Sequence, residues 1–200
     1  MRLSKLFLAT AAATVVFGVL ASTASARSFQ SSATTLRTQF RELSFAGIFG
    51  TTVCQLTLEG SLHSRTIAKL LNSLIGYITA ARLGPCPVGT ATILGETLPW
   101  HIRYDSFAGT LPNISRITTN VVNLAIIVRT NVGERCLTRS TATQPVLGLF
   151  ELAAGVISSA SIAGTTGTGA ECFGALGAFT SDRGPVTVLN STTRVTLRLI

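Results

Sequence analysis

The segment LPWHIRYDSF, residues 98–107, concentrates side chains that are capable of chemistry. It contains the only Trp of the chain, one of its two His and one of its two Tyr. In an extended strand, successive side chains face opposite sides. One face would then carry Trp100, Ile102 and Tyr104. The other would carry His101, Arg103 and Asp105, which are the components of a general base with an anion clamp.

The polar face of this segment has a catalytic and a structural interpretation. In the catalytic one, His101, Arg103 and Asp105 form the site of a small hydrolase, completed by His63 or Glu59. However, the reacting groups of acid–base sites normally converge from different segments, whereas one strand spreads them along a row. The sequence also lacks a G-x-S-x-G nucleophile elbow. The residues favour a strand with a packed face and a solvated face, and thus a protein that is not an enzyme.

The four cysteines indicate a disulfide framework. Cysteines of secreted chains are usually oxidised, and four of them allow three pairings. We expect neighbours in sequence to pair, because each bridge then closes one supersecondary unit: Cys54 with Cys86, and Cys136 with Cys172. Oxidised cysteines leave few metal ligands, so we expect neither a metal site nor a cofactor.

Residues 1–26 have the form of a signal peptide. Arg2 and Lys5 precede an apolar segment at residues 6–20, and Ala24-Ser25-Ala26 is a small-residue cleavage sequence. The apolar segment is shorter than the ~20 residues of a transmembrane helix, and no later segment approaches that length. We therefore predict a protein that is secreted or held in the cell envelope, without a transmembrane segment, and that begins at Arg27.

The rest of the chain is basic, and nearly all of its basic residues are arginines. Without Arg2 and Lys5, fourteen Lys and Arg face eight Asp and Glu, which gives a net charge of +6. Such a charge attracts anionic polymers, including cell-wall components. Dedicated nucleic-acid binders concentrate their basic residues on one face, whereas these arginines are scattered along the sequence. Specific nucleic-acid binding is therefore not expected.

The composition favours a fold made mainly of β-strands. Only 12% of the residues are charged, while Thr, Ser, Gly and β-branched residues are abundant. Residues 51–59 and 117–129 alternate as half-buried strands do, which puts Cys54 on a core face. A hairpin is predicted between residues 136–142 and 146–152. The predicted fold is an antiparallel β-sandwich or barrel, and the sequence does not choose between them.

One segment has the period of a helix. Ser64 is available as its N-cap, and Gly84 would end it. The apolar residues that recur at helical spacing are Ile67, Leu70, Leu71, Leu74, Ile75 and Ile78. The spacing predicts an amphipathic helix over residues 64–82. Gly76 and several β-branched residues leave a pair of strands as the alternative.

The predicted chain has three parts. Residues 1–26 are the signal peptide. Residues 27–41 are polar and without periodicity, which predicts a flexible N-terminal arm. Residues 42–200 are long enough to bury a hydrophobic core and are predicted to form a single disulfide-braced β-rich domain. The oligomeric state does not follow from the sequence.

Several blocks of sequence resemble those of uncharacterised secreted proteins of actinobacteria. The blocks are EGSLHSRTIAK, SLIGYIT, TLPWHIRYDSFAGTLPNI and VTVLNSTTRVTLRLI. The resemblance covers most of the chain after residue 26 and rests on whole blocks rather than on a catalytic motif. It implies an exported bacterial protein, and it implies no activity, ligand or catalytic residue.

Three functions fit these observations. The first is a non-catalytic binding or structural module that acts outside the cell or in the cell envelope. The second is the small secreted hydrolase around His101, Arg103 and Asp105, which requires His101 and a second titratable group to meet in a concave pocket. The third is a barrel that carries a small lipophilic ligand in its interior.

Overall fold

The computed structural model describes residues 28–47, 50–130, 133, 135–165 and 178–200. Within these ranges the chain forms β-strands and one short 3-10 helix, Gly95–Thr97. The strands are β1 (Ser28–Ser31), β2 (Thr35–Gly47), β3 (Gly50–Leu62), β4 (Thr66–Ala68), β5 (Leu74–Leu83), β6 (Thr90–Ile93), β7 (Trp100–Thr110), β8 (Asn113–Val122), β9 (Ala125–Arg129), β10 (Arg135–Arg139), β11 (Val146–Ala153), β12 (Val156–Thr165), β13 (Ala178–Ser181), β14 (Val186–Val188) and β15 (Leu197–Leu199). The predicted mainly β fold is confirmed.

The largest sheet closes on itself as an antiparallel barrel. Its strands neighbour one another in the order β2, β3, β5, β7, β8, β11, β12 and β13, and β13 pairs back with β2. At this seam, Phe179 lies opposite Phe45. β14 extends the seam, because it pairs with the first part of β2 and places Val186 opposite Thr38. A barrel of about eight strands has an interior just wide enough for side chains or one small ligand.

Two three-stranded sheets pack against the two halves of the barrel core. One consists of β10, β9 and β6, the other of β15, β1 and β4. Leu124 and Ile126, beside and within β9, join the core cluster that contains Trp100. Phe29 of β1 and Leu197 of β15 join the second cluster, which contains Tyr104. Apolar residues of the small sheets thus complete the core that the barrel strands begin.

A disulfide fastens one small sheet to the barrel wall. Cys54 on β3 is bonded to Cys86, which precedes β6, and Val53 forms a bridge with Val88 nearby. The predicted pairing of Cys54 with Cys86 is confirmed. The second predicted pair includes Cys172, which lies outside the described residues, as does the predicted signal peptide.

The predicted helix over residues 64–82 is wrong, and the alternative pair of strands, β4 and β5, is present. Glycine is unfavourable within a helix. In β5, a Cβ on Gly76 would clash with the carbonyl oxygen of Ser61 on β3, so this close approach of two strands needs glycine. Leu70 and Leu71 are exposed, and the helical apolar spacing therefore does not mark a buried face.

The predicted flexible arm is wrong over its described residues, 28–41. These residues form β1 and the first part of β2. Phe29 and Phe40 are buried, and Ser28 and Gln30 pair with residues of β4. Two inward-facing phenylalanines anchor a stretch that is otherwise polar, because a strand needs apolar residues on one face only.

Two further predictions, the strand over residues 117–129 and the hairpin after it, are wrong. Residues 117–129 are not one strand, since Asn123 adopts a φ of 71° and separates β8 from β9. Asparagine tolerates this left-handed conformation better than most residues. The predicted hairpin between residues 136–142 and 146–152 does not form, because β10 pairs with β9 and β11 pairs with β8.

Candidate functional site

The segment LPWHIRYDSF lies mainly in β7, and its apolar face is the barrel interior. Trp100 and Tyr104 are buried. The indole Nε1 of Trp100 donates a hydrogen bond of 2.9 Å to Thr97 Oγ1, so the polar atom of this large side chain is satisfied. Burial raises the pKa of the Tyr104 phenol, and the negative charge of Asp105 raises it further. The packed face predicted for this strand is present.

His101 and His63 stand on either side of Tyr77. The ring of His63 lies edge-on to that of Tyr77 at a centroid distance of 4.7 Å, and the ring of His101 does so at 5.3 Å. His101 and Tyr77 are cross-strand partners on β7 and β5. The structure thus brings both histidines to one place, but the phenol ring separates the imidazoles. Tyr77 is not among the residues predicted from the sequence, because helical spacing assigns it to a helix whereas it lies in β5.

Asp105 does not join the histidines. Its carboxylate accepts hydrogen bonds from Ser106 Oγ at 2.8 Å and from Asn120 Nδ2 at 3.3 Å. The pairing of β7 with β8 shifts register between Tyr104 and Ser106, so Asp105 lies in a β-bulge. The Nε atom of Arg103 is buried and makes no hydrogen bond with the described residues.

Glu59 is held by arginines rather than by a histidine. Its Oε1 lies 3.9 Å from Arg37 Nε and 3.5 Å from Arg82 Nη1. Four cavities lie among the described residues, two inside the barrel and two on its surface. Glu59 lines one of the two interior cavities, whereas His63, His101, Arg103 and Asp105 line none of the four.

The described residues contain neither a cluster of metal ligands nor a helix that could cross a membrane. No group of three or more His, Cys, Asp or Glu side chains in this part of the chain is arranged to hold a metal ion. Within the same residues, no helix combines the length and the apolarity that crossing a membrane requires.

A concave surface with two arginines lies where β14 pairs with β2. Its volume is about 400 Å³. The side chains that line it and can form hydrogen bonds are Arg37, Gln39, Thr187, Ser191, Thr192 and Arg194. We call this surface the arginine groove. Its residues come from both ends of the chain and meet only because β14 pairs with β2. The groove therefore has no local sequence motif.

The strand register places the two arginines of the groove in one row. Thr187 lies opposite Arg37 on one side and opposite Arg194 on the other. Arg37 in turn lies opposite Glu59. The row therefore runs from Arg194 through Thr187 and Arg37 to Glu59. The carboxylate of Glu59 also contacts Arg82.

Each arginine of the groove uses part of its guanidinium group for a contact within the protein. Arg194 Nη1 donates a hydrogen bond of 3.1 Å to the carbonyl oxygen of Ser158, which orients the side chain. Arg37 Nε is buried and makes no hydrogen bond with the described residues, since Glu59 Oε1 is 3.9 Å away. The Arg37 side chain is nevertheless 37% exposed, and Arg194 is exposed. Planar guanidinium groups suit the recognition of phosphate, sulfate or carboxylate.

The barrel interior contains two small apolar cavities of about 60 Å³ and 50 Å³. Leu36, Ile102 and Phe150 line both of them. Sites for drug-sized ligands usually measure about 300–1,000 Å³. The interior in this conformation is therefore filled mainly by side chains. The fourth cavity, about 330 Å³, lies between the turn that joins β7 to β8 and the strand β15.

Comparisons with protein-family models, with curated protein sequences and with solved structures find no match to this chain.

Proposed function

We propose that the protein is a secreted, non-catalytic binding module whose arginine groove binds an anionic polymer outside the cell or in the cell envelope. The alignment of Arg37 and Arg194 on either side of Thr187 carries the proposal. Two guanidinium groups in one concave surface supply paired donors for successive anionic groups. The neighbouring hydroxyl and amide groups suit the uncharged parts of a glycan or polyol.

The positive charge around the groove favours an anionic polymer as its ligand over a single small anion. The row holds Arg194 and Arg37, with Glu59 opposite Arg37. A third arginine, Arg82, contacts the carboxylate of Glu59. The net charge of +6 predicted after export adds a field that draws polyanions to the surface. A groove on a positively charged surface favours a long anionic chain.

The two alternative functions have less support from the geometry. A hydrolase around His101 needs titratable groups that converge in a concave pocket, whereas Tyr77 lies between the two histidines and Asp105 is bound to Ser106 and Asn120. A carrier of lipophilic ligands needs interior space, and the two interior cavities measure about 60 Å³ and 50 Å³.

The test is the binding of long-chain polyphosphate to the exported form, residues 27–200, measured by titration calorimetry at several salt concentrations. The double variant Arg37→Gln and Arg194→Gln should raise the dissociation constant about tenfold or more, because hydrogen bonds to charged groups contribute about 1.5–3 kcal/mol each. Its affinity should also depend less steeply on salt, because fewer counterions are released.

The matched control changes two exposed arginines outside the groove, Arg129 and Arg139, to glutamine. It removes the same charge, so only the groove variant should lose most of the affinity. Equal losses in the two variants would mean that the diffuse charge binds the polymer, and the proposal for the groove would then fail. Thermal melts of each variant establish that the fold is intact.

A further inference from the structure

Exposed apolar side chains gather at one end of the barrel, where β15, β1 and β4 pack. The side chains are Leu70, Leu71, Leu74, Leu111 and Ile200. We call this surface, together with Lys69 and Arg198, the leucine end. Single exposed apolar residues are ordinary on protein surfaces, but a group of them usually marks a contact with a membrane or another molecule.

A tight turn presents the two most exposed leucines. The amide of Ser73 donates a hydrogen bond of 3.0 Å to the carbonyl oxygen of Leu70, and Asn72 adopts a φ of 62° within the turn. Leu70 and Leu71 are 66% and 61% exposed. Their side chains therefore project at the tip between β4 and β5.

Backbone pairing brings the other apolar residues to the same end. Ser28 of β1 lies opposite Ala68, one residue before Lys69, and exchanges two backbone hydrogen bonds with Ile200. Pro112, next to Leu111, lines one cavity together with Arg198 and Leu199. The turn between β7 and β8 thus lies beside the C-terminal strand.

Cations border these apolar side chains. Lys69 Nζ lies 5.5 Å from the centroid of the Phe29 ring and 5.3 Å from that of Phe107, so its charge is held against two aromatic rings next to the exposed leucines. Arg198 is exposed, and its Nε donates a hydrogen bond to Gln30. A rim of cations around exposed leucines complements a surface that is apolar inside and negatively charged outside.

We propose that the leucine end docks onto a lipid bilayer with anionic headgroups. Leu70 and Leu71 enter the boundary between headgroups and acyl chains, and Lys69 and Arg198 contact lipid phosphates. Interfacial binding of this kind depends on buried apolar area together with attraction to anionic lipids. The contact is shallow and reversible, and it is independent of the arginine groove.

The test is co-sedimentation of the exported form, residues 27–200, with vesicles, so that the apolar segment at residues 6–20 does not contribute. One set of vesicles contains phosphatidylglycerol and phosphatidylcholine, the other phosphatidylcholine alone. The protein should bind the anionic vesicles more tightly. Leu70→Ser with Leu71→Ser should lower the partition coefficient about tenfold, which corresponds to about 1.4 kcal/mol.

Matched variants distinguish docking at the leucine end from unspecific adsorption and from self-association. Leu147→Ser removes an exposed leucine from β11, on the barrel wall, and should leave vesicle binding unchanged. Equal losses in Leu147→Ser, or no binding of the unmodified protein to either vesicle, would overturn the proposal. The proposal would also be overturned if the protein dimerised without lipid and the double variant of Leu70 and Leu71 abolished the dimer. The leucine end would then be a dimer interface.

Discussion

At the residue scale, Tyr104 links the stability of the barrel to pH. Its side chain is 4% exposed, and its ring lies 6.3 Å from that of Phe29 between centroids. Burial raises its pKa above the ordinary value of 10.0, and the negative charge of Asp105 acts in the same direction. The folded protein therefore holds the Tyr104 proton more tightly than the unfolded chain does.

The free energy of unfolding should decrease as the pH rises above the unfolded pKa of about 10. In that range the unfolded chain releases the Tyr104 proton, while the folded chain still retains it. The stabilisation is fully present below the unfolded pKa and is lost as the pH rises through the folded pKa. Tyr104→Phe should make the decrease shallower in urea denaturation across this range. An unchanged pH dependence in this variant would contradict the role of Tyr104.

Strand alternation predicts which residues of LPWHIRYDSF are buried, but not where its polar residues lie relative to other strands. Trp100 and Tyr104 are buried as predicted, because alternation is a local property. The position of Tyr77 between His63 and His101 depends on the register of three strands. The bulge at Asp105 likewise results from the pairing of β7 with β8. Neither feature has a local sequence signal.

At the scale of elements, the disulfide holds the small sheet of β6, β9 and β10 against β3. Cys54 and Cys86 are separated by 32 residues. Closing a loop of this length lowers the entropy of the unfolded chain and stabilises the fold by roughly 2–4 kcal/mol.

Replacing both Cys54 and Cys86 with serine should lower the free energy of unfolding by about 2–4 kcal/mol. Guanidinium denaturation of the variant and of the unmodified protein, both under non-reducing conditions, measures the difference. The loss should be accompanied by faster amide exchange in β6 and β9 than in β11 and β12. Uniform exchange across all strands would contradict a local role for the bridge.

Spacing of apolar residues is a weak guide where elements end in exposed turns. Residues 64–82 carry apolar side chains at helical intervals, yet Leu70 and Leu71 lie at the exposed tip of a turn. Ile67 and Ile75 are both buried, but they lie on two different strands, β4 and β5. Gly76 is the informative residue, since it is unfavourable in a helix and needed where β3 and β5 approach closely.

At the scale of the whole molecule, the seam between β13 and β2 converts a sheet into a barrel. Phe179 on β13 is fully buried, lies opposite Phe45, and contacts its ring at a centroid distance of 5.8 Å. The seam joins residues from the two ends of the chain. A sequence-based prediction leaves sandwich and barrel unresolved, because only this long-range pairing distinguishes them.

Phe179→Ala should lower the free energy of unfolding by about 3–5 kcal/mol, the cost of a large cavity in a packed core. Phe150→Ala, on β11 and only half-buried, should cost less, because Phe150 already borders interior cavities. Denaturant titrations of both variants provide the comparison. A smaller loss for Phe179→Ala than for Phe150→Ala would contradict the importance of the seam.

Mapping the polymer contact tests the proposed function most directly. Isotope-labelled protein, residues 27–200, would be titrated with polyphosphate while amide chemical shifts are recorded. The arginine groove predicts that the shifts concentrate at residues 37–39, in β14 and at residues 191–194. Shifts centred on His63, Tyr77 and His101, or spread evenly over the barrel wall, would contradict it.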